Sequence, residues 1–114
     1  MAPIWIPDAG DLIWTDFAPT LGREQSGRRP ALVVSGRLLT DRSGLAIVCP
    51  ITSRIRNYPT GVVLPPGLVV AGEILLSHIR SIDTVARPVA YAGGKIPLWL
   101  ADEVRAKLDA IIRI

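Results

Sequence analysis

Gly10-Asp-Leu-Ile-Trp-Thr-Asp-Phe17 begins the stretch that decides the fold, which continues through Gly22-Arg-Glu-Gln-Ser-Gly-Arg-Arg-Pro30 into Ala31-Leu-Val-Val-Ser35. Alternating side chains predict a strand over Asp11–Phe17, and an apolar, β-branched run predicts a second strand over Ala31–Val34. The loop between them has about a dozen residues, more than the roughly two to five that are usual for a hairpin. A loop of that length is either functional or disordered.

The side chains of this loop favour a function. Arginines stand beside one carboxylate and one carboxamide, and Pro30 is expected to fix the start of the second strand. Guanidinium groups bind phosphate through paired hydrogen bonds, and a carboxylate among them is a candidate proton acceptor. The residues concerned are Arg23, Glu24, Gln25, Arg28 and Arg29.

The composition is that of one globular domain, residues 1–114, with a modest core. The chain has 114 residues, of which 49% are hydrophobic and 20% charged. Its net charge of +3 is unevenly spread, with −3 over residues 1–20, +5 over residues 21–60 and +1 over residues 61–114. Eleven of the thirteen basic residues are arginine, which suits phosphate contact, although a biased genome gives the same composition. The clustering of the arginines favours phosphate binding.

Several classes of protein and site are excluded by what the sequence lacks. The single cysteine, Cys49, lies in an apolar run and is expected to be a buried thiol rather than a reactive one, in a cytoplasmic protein without disulfides. No secretory signal is expected, and prolines and glycines interrupt the longest uncharged stretch, so no spanning helix is expected. Metal-ligand spacing, a P-loop and a nucleophile elbow do not occur. We therefore expect no metal site and no cofactor.

The remainder of the chain predicts short strands and one terminal helix. Gly36–Gly44 is expected to be a loop with at most one helical turn, and Gly93-Gly94 is expected to be a turn. Apolar residues at helical spacing from Leu100 to Ile112 predict a C-terminal helix. This order predicts a mainly β fold with a C-terminal helix (α+β), built as a small bent sheet or partly open barrel. The further strands are predicted at Leu45–Ile51, Thr60–Leu64, Gly72–Leu76, His78–Ile82 and Arg87–Tyr91.

The side chains that remain are able to cleave RNA without a metal. They are the loop arginines, Glu24, and the pair Thr52-Ser53 that follows a buried strand. In such a reaction the 2′-hydroxyl attacks its neighbouring phosphate, and the site supplies a base, an acid and cations for the phosphorane. Glu24 is the better general base. Arginine stabilises charge well but is ordinarily a poor proton donor, so Arg29 acts as the acid only in an unusual environment.

Six motifs follow one another along the chain: Gly10-Asp-Leu-Ile-Trp-Thr-Asp-Phe17, Gly22-x-Glu-Gln-x-Gly-x-Arg-Pro30, Ala31-Leu-Val-Val-Ser35, Pro50-Ile-Thr-Ser53, Tyr58-Pro59 and Ile79-Arg-Ser-Ile82. In these motifs and their order the chain resembles the MazF/PemK toxins of bacterial toxin–antitoxin systems. The resemblance extends from Pro7 to the C-terminal helix, and the Glu-Gln-x-Gly-x-Arg-Pro run is its most specific part.

This resemblance implies both a fold and an activity. The fold is an SH3-like small β-barrel of the CcdB/MazF plasmid-maintenance toxin type, which forms a homodimer. The activity is that of an mRNA interferase, a sequence-specific endoribonuclease that cuts single-stranded RNA without a metal. The cut leaves a 2′,3′-cyclic phosphate and a 5′-hydroxyl and thereby inhibits translation and growth. A cognate MazE-like antitoxin is expected to neutralise the toxin.

The resemblance also assigns roles to individual residues. Arg29 and Thr52 match catalytic residues, and Glu24 matches an acidic loop residue linked to activity. Without the resemblance, Thr52 is first interpreted as a strand-end hydroxyl that bonds its own backbone. The arginines are either phosphate contacts or solvated charges. The residues predicted to bind RNA are Gln25, Arg28, Ser53, Arg54, Arg56, His78 and Arg80.

Ser77 and His78 depart from the family pattern, in which an acidic residue and a glutamine commonly precede the Ile79-Arg-Ser-Ile82 run. If this pair reads bases, the cleavage sequence differs from that of any relative. A lone histidine between apolar strands is otherwise a hydrogen-bonded structural residue.

Two other functions stay open at this stage. A CcdB-like inhibitor of DNA gyrase would act by binding, through residues of its C-terminal helix, and would cleave no RNA. A non-catalytic SH3-like module would bind a peptide in an apolar groove lined by Trp5, Trp14 and Tyr58.

Overall fold

The computed structural model describes residues 5–17 and 27–114. In these residues it has seven strands, two α-helices and one 3₁₀ turn, and no helix there is long and apolar enough to cross a membrane. The strands are β1 (Asp11–Asp16), β2 (Arg28–Val33), β3 (Leu45–Thr52), β4 (Gly61–Val63), β5 (Glu73–Leu75), β6 (Arg80–Asp83) and β7 (Val89–Lys95). The helices are α1 (Arg37–Ser43) and α2 (Leu98–Ile111), and the 3₁₀ turn is Leu76–His78.

The strands form an antiparallel sheet in the order β4-β5-β3-β2-β1-β7, and β6 pairs with β3 outside this path. β3 is the central strand because it pairs with β2, with β6 through its first half and with β5 through its last two residues. Over the described residues the sheet is open, with β4 and β7 at its two ends. The prediction of a mainly β fold with a C-terminal helix is confirmed.

Both faces of the sheet are buried, which is why β3 is apolar almost throughout. One cluster contains Leu12 and Ile51 and packs against Leu100 and Val104 of α2. The other contains Ile13, Phe17, Ala31, Val48 and Ile82. Alternate residues of β1 and β3 therefore point to different cores, as the period of a strand requires.

Cys49 is fully buried in the first cluster. Burial raises the pKa of its thiol to about 12, because an apolar environment disfavours the thiolate. The prediction of a buried, unreactive thiol agrees with this position.

β2 begins at Arg28, so the prediction that Pro30 fixes the start of this strand was wrong. Pro30 pairs with Trp14 of β1, whereas pairing with β3 begins only at Ala31. Proline lacks an N–H and is tolerated where one edge of a strand is open. Arg28 and Arg29 consequently lie on a strand, in register with Asp16 and Thr15, and not in the preceding loop.

Three other local predictions were wrong. Gly36–Gly44 contains helix α1, which Gly44 ends in the left-handed conformation with a φ of 75°. His78 belongs to the 3₁₀ turn, and the strand after it begins at Arg80. Gly93-Gly94 lies within β7, where the register with β1 shifts by a bulge and Gly93 takes a φ of 99°.

Candidate active site

Arg29 and Thr52 lie on neighbouring strands, toward the same end of the β2–β3 pair. Ala31 pairs with Pro50, Arg29 lies two residues before Ala31 on β2, and Thr52 lies two residues after Pro50 on β3. Because side chains alternate along both strands, Arg29 and Thr52 lie on the face of the sheet to which Ala31 belongs. Two of the three residues predicted to be catalytic, Arg29 and Thr52, therefore lie on adjacent strands and on the same face.

The hydroxyl of Thr52 has a structural role of its own. Its side chain is on a residue only 7% exposed, and Oγ1 accepts a hydrogen bond of 3.2 Å from the N–H of Arg54. This is the local backbone bond that the sequence allows for a strand-end threonine. It occupies a lone pair and leaves the hydroxyl proton available for donation. The structural and the catalytic interpretations of Thr52 are thus compatible.

Thr52 also lines a cleft of about 690 Å³ formed by the end of β3, the β3–β4 loop and the 3₁₀ turn. The two arginines of the loop are exposed and are brought together there with Thr52 and His78. Cationic side chains in a concave surface attract an anionic ligand. The lining residues are Thr52, Arg54, Arg56, Tyr58, Thr60, Leu75, Ser77 and His78.

His78 is partly buried in this cleft, and its Nδ1 is buried without a hydrogen-bond partner among the described residues. A structural histidine usually has both ring nitrogens occupied or solvated. His78 therefore contributes to the lining of the cleft, while its buried Nδ1 is not accessible to a ligand there.

Arg28 and Arg80 lie outside the lining of the cleft. The guanidinium of Arg28 is 5.8 Å from the centre of the Trp14 ring, and that of Arg80 is 5.5 Å from the centre of the Phe17 ring. Arg80 pairs with Val48 and so shares the face of Arg29, whereas Arg28, the neighbour of Arg29 on β2, points to the opposite face. Ser53 is exposed. Glu24 and Gln25 lie outside the described residues.

One residue at the site was missed by the sequence analysis. Glu73 pairs with Thr52 across β3 and β5, and its side chain is fully buried. Its carboxylate accepts hydrogen bonds from three consecutive backbone N–H groups, those of Arg56 (2.8 Å), Asn57 (3.2 Å) and Tyr58 (2.9 Å). The signal that was available is a single carboxylate in the apolar run Gly72-Glu-Ile-Leu-Leu76, since a buried carboxylate requires partners.

A family model described as the PemK-like, MazF-like toxin of type II toxin–antitoxin systems matches residues 8–112 of the chain. The chain belongs to this family. It is 38% identical over 112 residues to the endoribonuclease toxin MazF of Escherichia coli K12, and the match covers 98% of this chain and 99% of that toxin.

Solved structures of MazF agree with this membership. The structure of MazF from Deinococcus radiodurans superposes with a TM-score of 0.89 at 42% identity and covers 95% of this chain and 97% of that one. A MazE–MazF structure from the same organism matches with a TM-score of 0.83 at 42% identity, covering 95% of this chain and 96% of the matched chain. The MazF/PemK fold is therefore the fold of this chain, and the predicted resemblance is confirmed.

Proposed function

We propose that this chain is an endoribonuclease toxin, an mRNA interferase that cuts single-stranded RNA at a specific short sequence. The observation that carries the proposal is the position of Thr52, which lies on the strand next to that of Arg29 and lines a cleft that also contains Arg54 and Arg56. Hydrogen-bond donors and cations around one phosphate stabilise the phosphorane of phosphodiester cleavage, and this arrangement supplies them. Names and structures of the related MazF toxins support the same activity.

The reaction is an attack of the RNA 2′-hydroxyl on the adjacent phosphorus. The new 2′-O–P bond forms as the bond from phosphorus to the 5′-oxygen breaks, which gives a 2′,3′-cyclic phosphate and a 5′-hydroxyl. Glu24 takes the proton of the 2′-hydroxyl, and Arg29 stabilises the phosphorane and protonates the leaving oxygen. Thr52 donates its hydroxyl proton to a phosphate oxygen while its lone pair holds the Arg54 N–H. No step requires a metal or a cofactor.

RNA is held on both sides of this centre. Arg54 and Arg56 contact backbone phosphates in the cleft, and the ring of His78, which lines the same cleft, contacts a base. Arg80 lies on the same face as Arg29 and extends the cationic surface there. Arg28, the first residue of β2, points to the opposite face and contacts RNA beyond this surface. Gln25 and Ser53 complete the proposed RNA contacts.

The proposal also covers the architecture of the toxin, its location in the cell and its partners. We assign the sheet and α2 to the SH3-like barrel type of the CcdB/MazF toxins, and residues 1–114 to one domain. The toxin acts in the cytoplasm as a homodimer, and a MazE-like antitoxin neutralises it, as the MazE–MazF structures support. Neither the gyrase inhibitor nor the peptide-binding module is favoured by the comparisons with known proteins.

Cleavage of a long, single-stranded RNA in EDTA tests the activity, with Arg29→Ala and Arg29→Lys measured beside the unmodified protein. We expect discrete cuts that carry 5′-hydroxyl ends, reduced by at least about 100-fold in both variants because a point charge does not replace the planar guanidinium. Circular dichroism of both variants establishes that they are folded. Full activity of Arg29→Ala, or no cutting by the folded, unmodified protein, contradicts the proposal, and inhibition of gyrase would then be measured.

A further inference from the structure

Cleavage chemistry does not account for the buried carboxylate of Glu73. A fully buried glutamate is costly unless hydrogen bonds satisfy it. Here its two oxygens accept three backbone N–H groups from Arg56, Asn57 and Tyr58 at 2.8–3.2 Å. Among the described residues no cationic side chain forms an ion pair with it. Backbone donors of the β3–β4 loop are thus its partners.

The β3–β4 loop, residues 53–60, is also held near its two ends, where the Arg54 N–H donates to Thr52 Oγ1 and the Thr60 carbonyl accepts a bond from the Leu76 N–H. Ile55 and Tyr58 are exposed, so they anchor it weakly in the core. Asn57 takes a φ of 55°, a left-handed conformation that is uncommon outside glycine. Three hydrogen bonds to a buried carboxylate hold this turn, because bonds to a charged acceptor are stronger than neutral ones.

We propose that Glu73 is a positioning residue of the RNA site, which fixes the β3–β4 loop so that Arg54 and Arg56 meet the RNA backbone beside Thr52. This inference rests on the proposed ribonuclease function. Glu73 touches the backbone of the loop and not the RNA. It acts on the reaction through the two arginines and through its register partner Thr52.

The surroundings of the carboxylate are shaped to receive it. A Cβ atom at Gly61 would collide with the Glu73 carboxylate, so the absence of a side chain at this position leaves the space that the carboxylate fills. Gly61 also donates its N–H to the carbonyl of Tyr58 at 2.9 Å and accepts a bond of 2.9 Å from Lys107 of α2. Hydrogen bonds with Glu73 of β5 and Gly61 of β4 therefore hold the loop, and Lys107 of α2 in turn holds Gly61.

Glu73→Gln tests the proposal because it changes the charge and the hydrogen bonding while keeping the shape. The amide oxygen can still accept two N–H groups, but the NH₂ group faces a third N–H that it cannot accept. The variant also gains one unit of positive charge, which by itself strengthens binding to RNA. Loss of loop position weakens binding, so the two effects have opposite signs. Asp41→Asn makes the same charge change at an exposed residue of α1 and is the control.

The primary measurement is the affinity for an RNA made uncleavable by a 2′-deoxy sugar at the mapped cut, as a function of salt. Two phosphate contacts on a single strand contribute about 1.4 to the slope of log Kd against log salt. We expect Glu73→Gln to lose about that slope, to bind about tenfold more weakly near 0.1 M salt and to cleave at least about tenfold more slowly. Asp41→Asn should keep the slope and the rate.

A double-mutant cycle that combines Glu73→Gln with the Arg54→Ala/Arg56→Ala variant separates a positioning role of Glu73 from a purely structural one. If Glu73 acts through these arginines, adding Glu73→Gln to the double variant changes the slope no further. A purely structural role lowers the melting temperature but leaves the slope and the rate of the folded protein unchanged, and this result overturns the proposal. Cleavage by the unmodified protein is measured first, so that failure of the ribonuclease function is recognised separately.

A measurement on the unmodified protein applies even if Glu73→Gln does not fold. We expect the backbone amides of Arg56, Asn57 and Tyr58 to exchange with solvent at least about tenfold more slowly than those of Ser53 and Ile55 in the same loop. Equal and rapid exchange of all five amides shows that the carboxylate does not hold the loop, and it overturns the proposal independently of any variant.

Discussion

At the scale of single residues, Thr52 combines two uses of one hydroxyl. Its oxygen accepts the Arg54 N–H, and its proton is free to reach a phosphate oxygen. We expect Thr52→Val, which keeps the shape and removes the hydroxyl, to lower kcat about 100-fold with little change in KM, since the lost bond acts mainly in the transition state. Thr52→Ser retains the hydroxyl and is expected to stay within about tenfold of the unmodified protein.

Steady-state cleavage of a short fluorogenic RNA that contains the mapped sequence measures both parameters. Arg54→Ala provides the comparison, because loss of a phosphate contact made equally in the bound RNA and the transition state raises KM instead. Unchanged kcat in Thr52→Val would leave its hydroxyl with the backbone role alone.

The residues of the site differ in how far a sequence can reveal them. Thr52 and Arg54 are close in sequence and come directly after an apolar run, so a short sequence motif can identify them. The structure brings both into one cleft. Glu73 could not be found in this way, because its partners are 15–17 residues distant and become neighbours only when the β3–β4 loop folds back on β5. Its burial is a property of tertiary structure.

At the scale of elements, α2 covers one of the two cores with a narrow stripe of apolar side chains along one face of the helix. Leu100 is 1% exposed and lies in the cluster with Leu12 and Ile51, whereas Leu98 on the same helix is 84% exposed. We expect Leu100→Ala to lower the free energy of unfolding by about 2–5 kcal/mol, because it removes buried methyl groups and leaves a cavity. Leu98→Ala is the matched control and should change it by less than about 0.5 kcal/mol.

Urea unfolding followed by circular dichroism gives both values. Cleavage by Leu100→Ala, measured well below its melting temperature, should be close to that of the unmodified protein, since the cleft is lined by residues of β3, the β3–β4 loop, β5 and the 3₁₀ turn and not by α2. Equal destabilisation by the two substitutions would contradict the described packing of α2.

The elements themselves were predicted where a local pattern decides them. β1, β3 and α2 have the period of a strand or a helix, and the structure confirms them within a few residues. The prediction for β2 failed at Pro30 because whether a proline interrupts a strand depends on which edges are paired, and pairing with β3 begins only at Ala31. The prediction for Gly93-Gly94 failed because a bulge against β1 needs the glycine conformation as much as a turn does.

At the scale of the whole molecule, β3 explains how distant motifs become one site. It pairs with β2, β5 and β6, so the end of this one strand gathers residues from the Arg29 motif, the Thr52 motif and the Glu73 strand. No single sequence motif predicts the order of the strands in the sheet. This order follows from burying both faces of β3, which local sequence patterns do not specify, and the strand order was therefore not among the predictions.

A cluster of charges outside the site ties the N-terminal segment to two other elements. Asp8 accepts a 2.9 Å hydrogen bond from the backbone N–H of Arg37 at the start of α1, and its carboxylate lies 3.7 Å from Arg37 Nη2 and from Lys95 Nζ of β7. The Arg37 N–H, opposed in part by desolvation and assisted by the two cations, holds the pKa of Asp8 below its ordinary value of 3.8.

Because the pKa of Asp8 is lower in the folded protein than in the unfolded chain, its ionised form stabilises the fold above pH 3.8, and this contribution disappears as the pH falls through the folded-state pKa. We expect Asp8→Asn to lower the free energy of unfolding at pH 7 by less than about 1 kcal/mol, since these pairs face solvent. The difference should vanish near pH 2 and shrink in 1 M salt, where exposed charges are screened. Urea unfolding at pH 7, 4 and 2, with Asp41→Asn as the control, measures it. A difference that is the same at pH 2 and pH 7 would contradict this account, because it would show that the carboxylate charge does not govern the effect of residue 8 on stability.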